Sequence, residues 1–142
     1  AAMRWLAQRK PEVIEAERMV ASVEHGYSGR FDLYARMRDG AQPRIEFKTV
    51  TEWKYRNNKR MQPFPETALQ LELYEGAAVE SGYPPADYGI VVRLGPDGTF
   101  DETPFILDPE RGLAILAAYR AKASAAKALT ARLGEPALAA AA

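Results

Sequence analysis

Five polar residues between positions 32 and 74 are spaced in a way that suits hydrolysis of a phosphodiester bond. They are two carboxylates, a lysine and a Gln-x-x-x-Tyr pair: Asp32, Glu46, Lys48, Gln70 and Tyr74. Mg²⁺ is a hard cation that keeps several waters, so one or two carboxylates and a substrate phosphate usually complete its site. A lysine beside the metal can orient or deprotonate the attacking water and stabilise charge on the phosphoryl oxygens, while the metal lowers the pKa of its water. The set predicts a metal-dependent hydrolytic site.

The carboxylates fall in two segments with the alternation of half-buried strands. Apolar residues at 31, 33 and 35 alternate with Asp32 and the residues at 34 and 36, which predicts a strand with Asp32 on its more polar face. Glu46 and Lys48 share one face of the next strand, because side chains alternate along a strand. A turn signal at Asp39-Gly40 joins the strands into a hairpin, and Gly29 permits a bulge or a close backbone approach before the first carboxylate. We therefore expect Asp32 and Glu46 to be close enough to share a metal.

The remaining patterns predict an α/β fold with a mixed, mostly antiparallel sheet flanked by helices. Pro65 marks the first turn of a helix, and Asp108-Pro109 is a helix start with an N-cap. In the helix from Pro65, the residues Leu69, Leu73, Ala77 and Val79 predict the buried stripe, with Gln70 and Tyr74 beside it. The predicted elements are helices over 1–9, 65–81 and 108–134, and strands over 12–24, 31–36, 43–50, 88–94 and 99–106.

A basic and aromatic segment follows the strand of Lys48 directly. It contains, besides two asparagines, Trp53, Lys54, Tyr55, Arg56, Lys59 and Arg60. Cations neutralise phosphates and aromatic rings stack on exposed bases, so the segment predicts contact with DNA. The alternative is a solvated loop in which Trp53 packs on the domain. Arg30 is a further candidate for phosphate contact or a surface salt bridge, and Glu17 is a candidate for assisting the metal or for a solvated strand face.

Length and composition limit the other possibilities. The 142 residues suit a single domain over 1–142, with a core of about 12–107 and a C-terminal helix of about 108–134. The 19 basic and 19 acidic residues cancel, so nucleic-acid binding must come from a local patch. The chain has no cysteine, which excludes disulfides and makes a structural zinc site unexpected. The lack of a signal peptide or a long apolar run predicts a cytoplasmic protein that does not associate with membranes.

Taken in order, the motifs resemble those of the PD-(D/E)xK nucleases, in particular the RecB-like and phage-type exonucleases. They are Gly-x-x-Gly-x-x-Asp at 26–32, Glu-x-Lys at 46–48 and Gln-x-x-x-Tyr at 70–74, and the match covers about 12–81, roughly half of the chain. The resemblance implies a restriction-endonuclease-like core and metal-dependent exonuclease action on DNA that leaves 5′-phosphates. The histidine of the family's upstream helix is not assigned to His25, which is interpreted as a turn residue.

The resemblance also implies roles for single residues and a set of partners. Asp32, Glu46 and the backbone carbonyl of Phe47 would bind Mg²⁺ or Mn²⁺, and Lys48 would act on the water. Gln70 and Tyr74 would contact DNA or hold Lys48. The iron–sulfur cluster of some relatives is excluded by the lack of cysteine. Expected partners are DNA and either further copies of the chain or a helicase or recombination protein, in recombination, replication or repair in a bacterium or, for a phage protein, in the host cytoplasm.

Three alternatives remain open. The same core serves structure-selective endonucleases such as junction resolvases, and it survives in non-catalytic subunits that bind nucleic acid. The intact Asp32, Glu46 and Lys48 argue against a non-catalytic subunit. In the third alternative, the chain is a metabolic or structural α/β domain in which Glu46 and Lys48 form an ordinary ion pair, which leaves Gln70 and Tyr74 unexplained.

Overall fold

The computed structural model describes residues 1–57, 59–63 and 65–133. Asn58 of the basic segment and Gly134, where the last helix was predicted to end, lie outside the described residues. The elements are, in chain order, α1 (Ala2–Arg9), β1 (Glu12–Ser22), β2 (Tyr27–Arg36), β3 (Arg44–Thr49), β4 (Tyr55–Arg56), β5 (Lys59–Arg60), α2 (Pro65–Glu80), β6 (Gly89–Leu94), β7 (Phe100–Phe105) and α3 (Pro109–Leu133).

Five of the strands form one mixed sheet in the order β1-β2-β3-β6-β7. The pair β3 and β6 is parallel, and the other neighbouring pairs are antiparallel. The short strands β4 and β5 form a separate antiparallel hairpin. The α/β class and the mixed sheet flanked by helices are thus confirmed. No helix within residues 1–57, 59–63 and 65–133 is long and apolar enough to cross a membrane.

Each face of the sheet has its own hydrophobic core. On one face, Trp5 of α1 packs with its ring edge-on to Phe47, 5.3 Å between centroids. The buried residues of this first cluster are Trp5, Leu33, Ala35, Ile45, Ile90 and Val92. On the other face lies α2, and the buried residues of this second cluster are Val20, Phe31, Tyr34, Ala77 and Ala78. The helix α3 packs against α2, where Gly112 lies next to Leu73.

Of the predicted buried stripe of α2, Ala77 is fully buried and Leu69 and Leu73 are partly buried, whereas the prediction is wrong at Val79. Val79 is 40% exposed, and the buried residues are instead Leu71, Glu72, Glu75, Ala77 and Ala78. The two glutamates are buried because each has an arginine partner: Glu75 pairs with Arg44 on β3, and Glu72 pairs with Arg111 on α3. The stripe was inferred from the spacing of apolar residues along the helix. Because two positions on the buried face of α2 are glutamates, that spacing does not mark the buried face.

The predicted alternation of β2 is also interrupted, and the interruption is at Asp32. Phe31 lies in the second cluster, whereas Leu33 lies in the first, so residues two apart pack on opposite faces of the sheet. Pairing between β1 and β2 runs from Ala16 and Leu33 to Arg18 and Phe31, and it skips Asp32 together with Glu17 on the opposite strand. Glu17 has φ +49°, a conformation that residues with a side chain adopt rarely. The irregularity changes which face the side chains of β2 present.

Candidate active site

Asp32 lies where β2 and β3 separate. The paired residues of these strands are Leu33 with Ile45 and Tyr34 with Arg44, and the ladder does not continue to Asp32. Instead, Oδ2 of Asp32 accepts a hydrogen bond of 2.8 Å from the backbone N–H of Phe47. At the end of the ladder, the Asp32 carboxylate therefore accepts the hydrogen bond that a backbone carbonyl of β2 would otherwise accept. This contact holds the carboxylate beside β3.

Glu46 is the most buried carboxylate of the predicted set, with 4% of its surface exposed. Its Oε1 accepts a hydrogen bond of 2.7 Å from Nζ of Lys48, which lies two residues further along the same face of β3. Its Oε2 is buried and has no hydrogen-bond partner among the described residues. Burial raises the pKa of Glu46, the hydrogen bond from Lys48 opposes this shift, and the charge of Asp32 adds to it. A buried carboxylate oxygen without a donor is costly unless a cation or a water satisfies it.

Gln70 and Tyr74 of α2 complete a chain of hydrogen bonds that begins at Lys48. Nζ of Lys48 also donates to Oε1 of Gln70 at 3.0 Å, and Nε2 of Gln70 donates to the hydroxyl of Tyr74. The two helix residues are four apart and so lie on one side of α2. The ring of Tyr74 lies against Gly29 on β2, which leaves no room for a side chain there. The sequence predicted that another part of the backbone would approach Gly29 closely; in the structure, the group that approaches it is the Tyr74 ring.

The oxygens at this position suit a hard divalent cation. Oε2 of Glu46 has no partner, and the Asp32 carboxylate lies on the neighbouring strand. In an extended strand the N–H and C=O of one residue point to the same edge, so the Phe47 carbonyl faces β2 together with its N–H. Carboxylate and carbonyl oxygens are the donors that Mg²⁺ and Mn²⁺ prefer. Within the described residues, no group of three acidic or histidine side chains forms a metal site.

Glu17 and Arg30 contact each other rather than the carboxylates. Arg30 Nη1 lies 3.3 Å from Oε2 of Glu17, and both side chains are mostly exposed. This is the surface salt bridge named above as the alternative for Arg30. His25 lies in the turn between β1 and β2, as interpreted from the sequence.

The basic segment forms the hairpin of β4 and β5, and its members divide into two groups. Four of its side chains are exposed and available to a ligand: Lys54, Tyr55, Arg56 and Lys59. Trp53 instead packs on the domain, where its ring lies against Gly95 and its Nε1 donates to Asp97 Oδ1 and Thr99 Oγ1, both at 3.1 Å. The guanidinium of Arg60 stacks on the same ring at 4.0 Å.

A cleft of about 340 Å³ lies between the strand of Lys48 and the hairpin. Among its lining residues is Arg93 of β6, which sequence reasoning missed. The signal was present, because Arg93 is the one charged residue in the apolar run 88–94. The lining residues are Lys48, Thr49, Val50, Thr51, Glu52, Trp53, Lys54, Met61, Gln62, Pro63, Thr67 and Arg93.

Comparison with known proteins gives little beyond the structure itself. No family model matches the chain, and no curated protein matches it. A solved structure, the crystal structure of SSO0001, is similar with 22% sequence identity over 82% of this chain and a TM-score of 0.48. The match covers 52% of that protein, so the chain spans about half of its length.

Proposed function

We propose that this chain is a metal-dependent deoxyribonuclease domain of the PD-(D/E)xK type, with a restriction-endonuclease-like core. The observation that carries the proposal is the buried Oε2 of Glu46, which has no partner among the described residues and lies in the group formed with Asp32 and Lys48. An ordinary ion pair between Glu46 and Lys48 would satisfy Oε1 but leave Oε2 of Glu46 buried without a partner. A cation bound at Oε2 would satisfy the second oxygen and would also explain why a second carboxylate, Asp32, lies nearby.

Asp32, Glu46 and the Phe47 carbonyl are the residues that would hold Mg²⁺ or Mn²⁺. When bound, the cation would supply Lewis-acid activation of water and neutralise charge on the phosphoryl oxygens. Asp32 is held in place by the N–H of Phe47, and Glu46 is held by Lys48. Because both carboxylates are positioned by β3, the donor set is formed before a ligand arrives, which lowers the cost of reorganisation.

Lys48 has one N–H donor that no other described residue accepts. An ammonium has three N–H donors, and two of them are used by Oε1 of Glu46 and Oε1 of Gln70. The third can point at the attacking water or at a phosphoryl oxygen, where a fixed positive charge stabilises the charge that develops in the transition state. Gln70 acts as a positioning residue, since its amide also binds the hydroxyl of Tyr74 and so cannot rotate without breaking two contacts.

Exonuclease action is the favoured form of this activity because the Gln-x-x-x-Tyr pair resembles that branch of the family. Recombination, replication or repair of bacterial or phage DNA in the cytoplasm is the corresponding setting, with self-association or a helicase or recombination partner. A structure-selective endonuclease or a non-catalytic DNA-binding subunit would use the same fold, so the assay below includes an outcome for each.

The first test measures degradation of end-labelled linear DNA and of a closed circle with Mg²⁺, Mn²⁺ or EDTA. Asp32→Asn, Glu46→Gln and Lys48→Met remove one functional group each at nearly constant volume. Glu12→Gln is the matched control, because Glu12 is an exposed carboxylate that pairs with Arg36 on the edge of the sheet. Metal-dependent loss of linear DNA that is abolished by the three site variants and retained by the control supports the exonuclease.

The other outcomes revise the proposal in defined ways. Cutting of the closed circle would assign an endonuclease, and DNA binding without cleavage by any metal would assign a binding subunit. Metal binding has an independent readout, since a ligand that binds the folded state raises the Tm. Mn²⁺ should raise the Tm of the wild type and of Glu12→Gln but not that of Asp32→Asn; an equal rise in all three would contradict the assigned ligands.

A further inference from the structure

Arg93 is a buried charge next to Lys48. In the parallel pair of β3 and β6, Arg93 is the register partner of Lys48, so the two side chains leave the same face of the sheet. Neighbouring strands are about 4.8 Å apart, so the two cations start from adjacent positions. The Arg93 side chain is only 10% exposed, whereas the Lys48 side chain is 37% exposed.

The contacts of Arg93 leave part of its guanidinium without a partner. Its Nη2 donates to Oδ2 of Asp101 on β7, and the guanidinium lies 5.6 Å from the centre of the Trp53 ring. Its Nε is buried and has no hydrogen-bond partner among the described residues. A guanidinium has five N–H donors, and burying its charge without satisfying them is unfavourable. Such a group is stabilised when an anion approaches it.

The cleft beside Lys48 is where an anion can reach Arg93. Arg93 and Lys48 both line it, and Lys54 lines the side formed by the basic segment. Thr49, Thr51 and Thr67 also line the cleft, and a threonine hydroxyl can donate a hydrogen bond to a phosphate oxygen. Trp53 closes one wall and is held there by Asp97, Thr99 and Arg60.

We propose that Arg93 forms a phosphate-binding subsite in this cleft, next to the scissile phosphate held at Lys48. The ligand is a phosphodiester of the bound DNA strand, an identification that rests on the proposed nuclease function. A guanidinium suits this role because its planar donors match the oxygens of a phosphate group. Asp101 keeps Arg93 neutralised until the phosphate arrives, and the phosphate then competes with Asp101 for the guanidinium.

The salt dependence of DNA binding distinguishes a phosphate contact from a structural ion pair. The dissociation constant of a labelled single-stranded oligonucleotide is measured with Ca²⁺ at several salt concentrations, for the wild type, Arg93→Gln and Asp101→Asn. Each lost phosphate contact reduces the steepness of the plot of log Kd against log salt by about 0.7 for single strands. Arg93→Gln should make the plot less steep by about this amount. Arg36→Gln is the control, because Arg36 is also an ion-paired arginine of the sheet, but its side chain is about half exposed and it does not line the cleft.

Asp101→Asn tests the proposal in the opposite direction. It removes the competitor of the phosphate, so it should tighten binding about three- to tenfold, the effect of roughly 1 kcal/mol at one ion pair. A purely structural pair predicts a lower Tm in Arg93→Gln with an unchanged slope, and no tightening in Asp101→Asn; either result would overturn the subsite. If Arg93→Gln does not fold, Asp101→Asn decides by itself.

Failure of the nuclease proposal is distinguishable from failure of the subsite. If the wild type neither binds nor cuts DNA, the nuclease proposal fails, and inorganic phosphate becomes the probe. Phosphate should then quench the fluorescence of Trp53, which is in the cleft, but not that of Trp5, which is fully buried. Quenching in the wild type and not in Arg93→Gln retains an anion site for free phosphate. Equal quenching in both proteins removes the site altogether.

Discussion

Tyr74 occupies the space that a side chain at Gly29 would need: a Cβ at Gly29 would lie 1.9 Å from Cε1 of the Tyr74 ring. The hydroxyl of the same ring accepts a hydrogen bond from Gln70, so the ring cannot move away without affecting the group that holds Lys48. Gly29 on β2 therefore determines the position of Tyr74, the last residue in the series of hydrogen bonds from Lys48 through Gln70. This contact makes Gly29 part of the site although it has no side chain.

Gly29→Ala should therefore destabilise the protein and reduce its nuclease activity. Overpacking of this kind costs about 1–3 kcal/mol, because the ring and the backbone must both shift. Urea unfolding measures the stability, and cleavage of linear DNA measures the activity. In a Tyr74→Ala background the added methyl group has room, so Gly29→Ala should cost much less there. Equal costs in both backgrounds would mean that the ring is not the obstacle.

Gln70→Leu should reduce kcat with little change in KM. The substitution removes the acceptor that holds Nζ of Lys48 and the donor to Tyr74, but it leaves Asp32 and Glu46 intact. Loss of a residue that orients a functional group typically costs about 10- to 100-fold in activity. Tyr74→Phe keeps the contact between Gln70 and Lys48 and should cost less. The rise of Tm with Mn²⁺ should persist in Gln70→Leu; its loss would place Gln70 at the metal instead.

Glu75→Ala should be among the most destabilising substitutions outside the site. Arg44 is fully buried, its Nε lies 2.5 Å from Oε2 of Glu75, and its guanidinium lies 4.2 Å from the centre of the Tyr34 ring. Removing one partner of a buried ion pair leaves an uncompensated charge and costs about 3–5 kcal/mol. Urea unfolding measures the loss.

Two variants control for the charge itself. Glu12→Gln breaks an exposed pair with Arg36 and should cost less than about 1 kcal/mol. The double substitution Arg44→Met with Glu75→Leu removes both buried charges and should recover most of the stability lost in Glu75→Ala. If the double variant is as unstable as the single one, the loss comes from packing and not from the unpaired arginine.

The sequence predicted the parts of the site that depend on regular strand geometry. In β3, Glu46 and Lys48 lie on one face as alternation requires, and Lys48 contacts Gln70 of α2. The α/β class and the mixed sheet followed from the same kind of local pattern. β2 was less predictable, since its faces change at Asp32, opposite Glu17 with its positive φ, and neither residue type signals such an irregularity.

Contacts between distant parts of the chain could not be predicted from local patterns. Glu75 and Glu72 on the buried face of α2 are satisfied by arginines 31 and 39 residues away, so the helix lacks the periodicity of an amphipathic helix. Trp53 binds Asp97 and Thr99, 44 and 46 residues away. The sequence left open whether Trp53 contacts DNA or packs on the domain, and it gave no indication of the turn at Asp97 and Thr99 on which Trp53 packs.

The docking of Trp53 on the turn before β7 should depend on pH through Asp97. Hydrogen bonds from Thr99 and then from Trp53 lower the pKa of Asp97 from 3.8 to about 2. Because the folded state favours the ionised form, this stabilisation is complete above the ordinary pKa of Asp97 and is lost as the pH falls through about 2. The difference in unfolding free energy between the wild type and Asp97→Asn should be constant above about pH 5 and shrink as the pH falls through 3.8 towards about 2. Urea unfolding at several pH values measures it, and Thr99→Val, which removes the stronger donor, should flatten the profile. A difference that does not change across this range would contradict the role of Asp97.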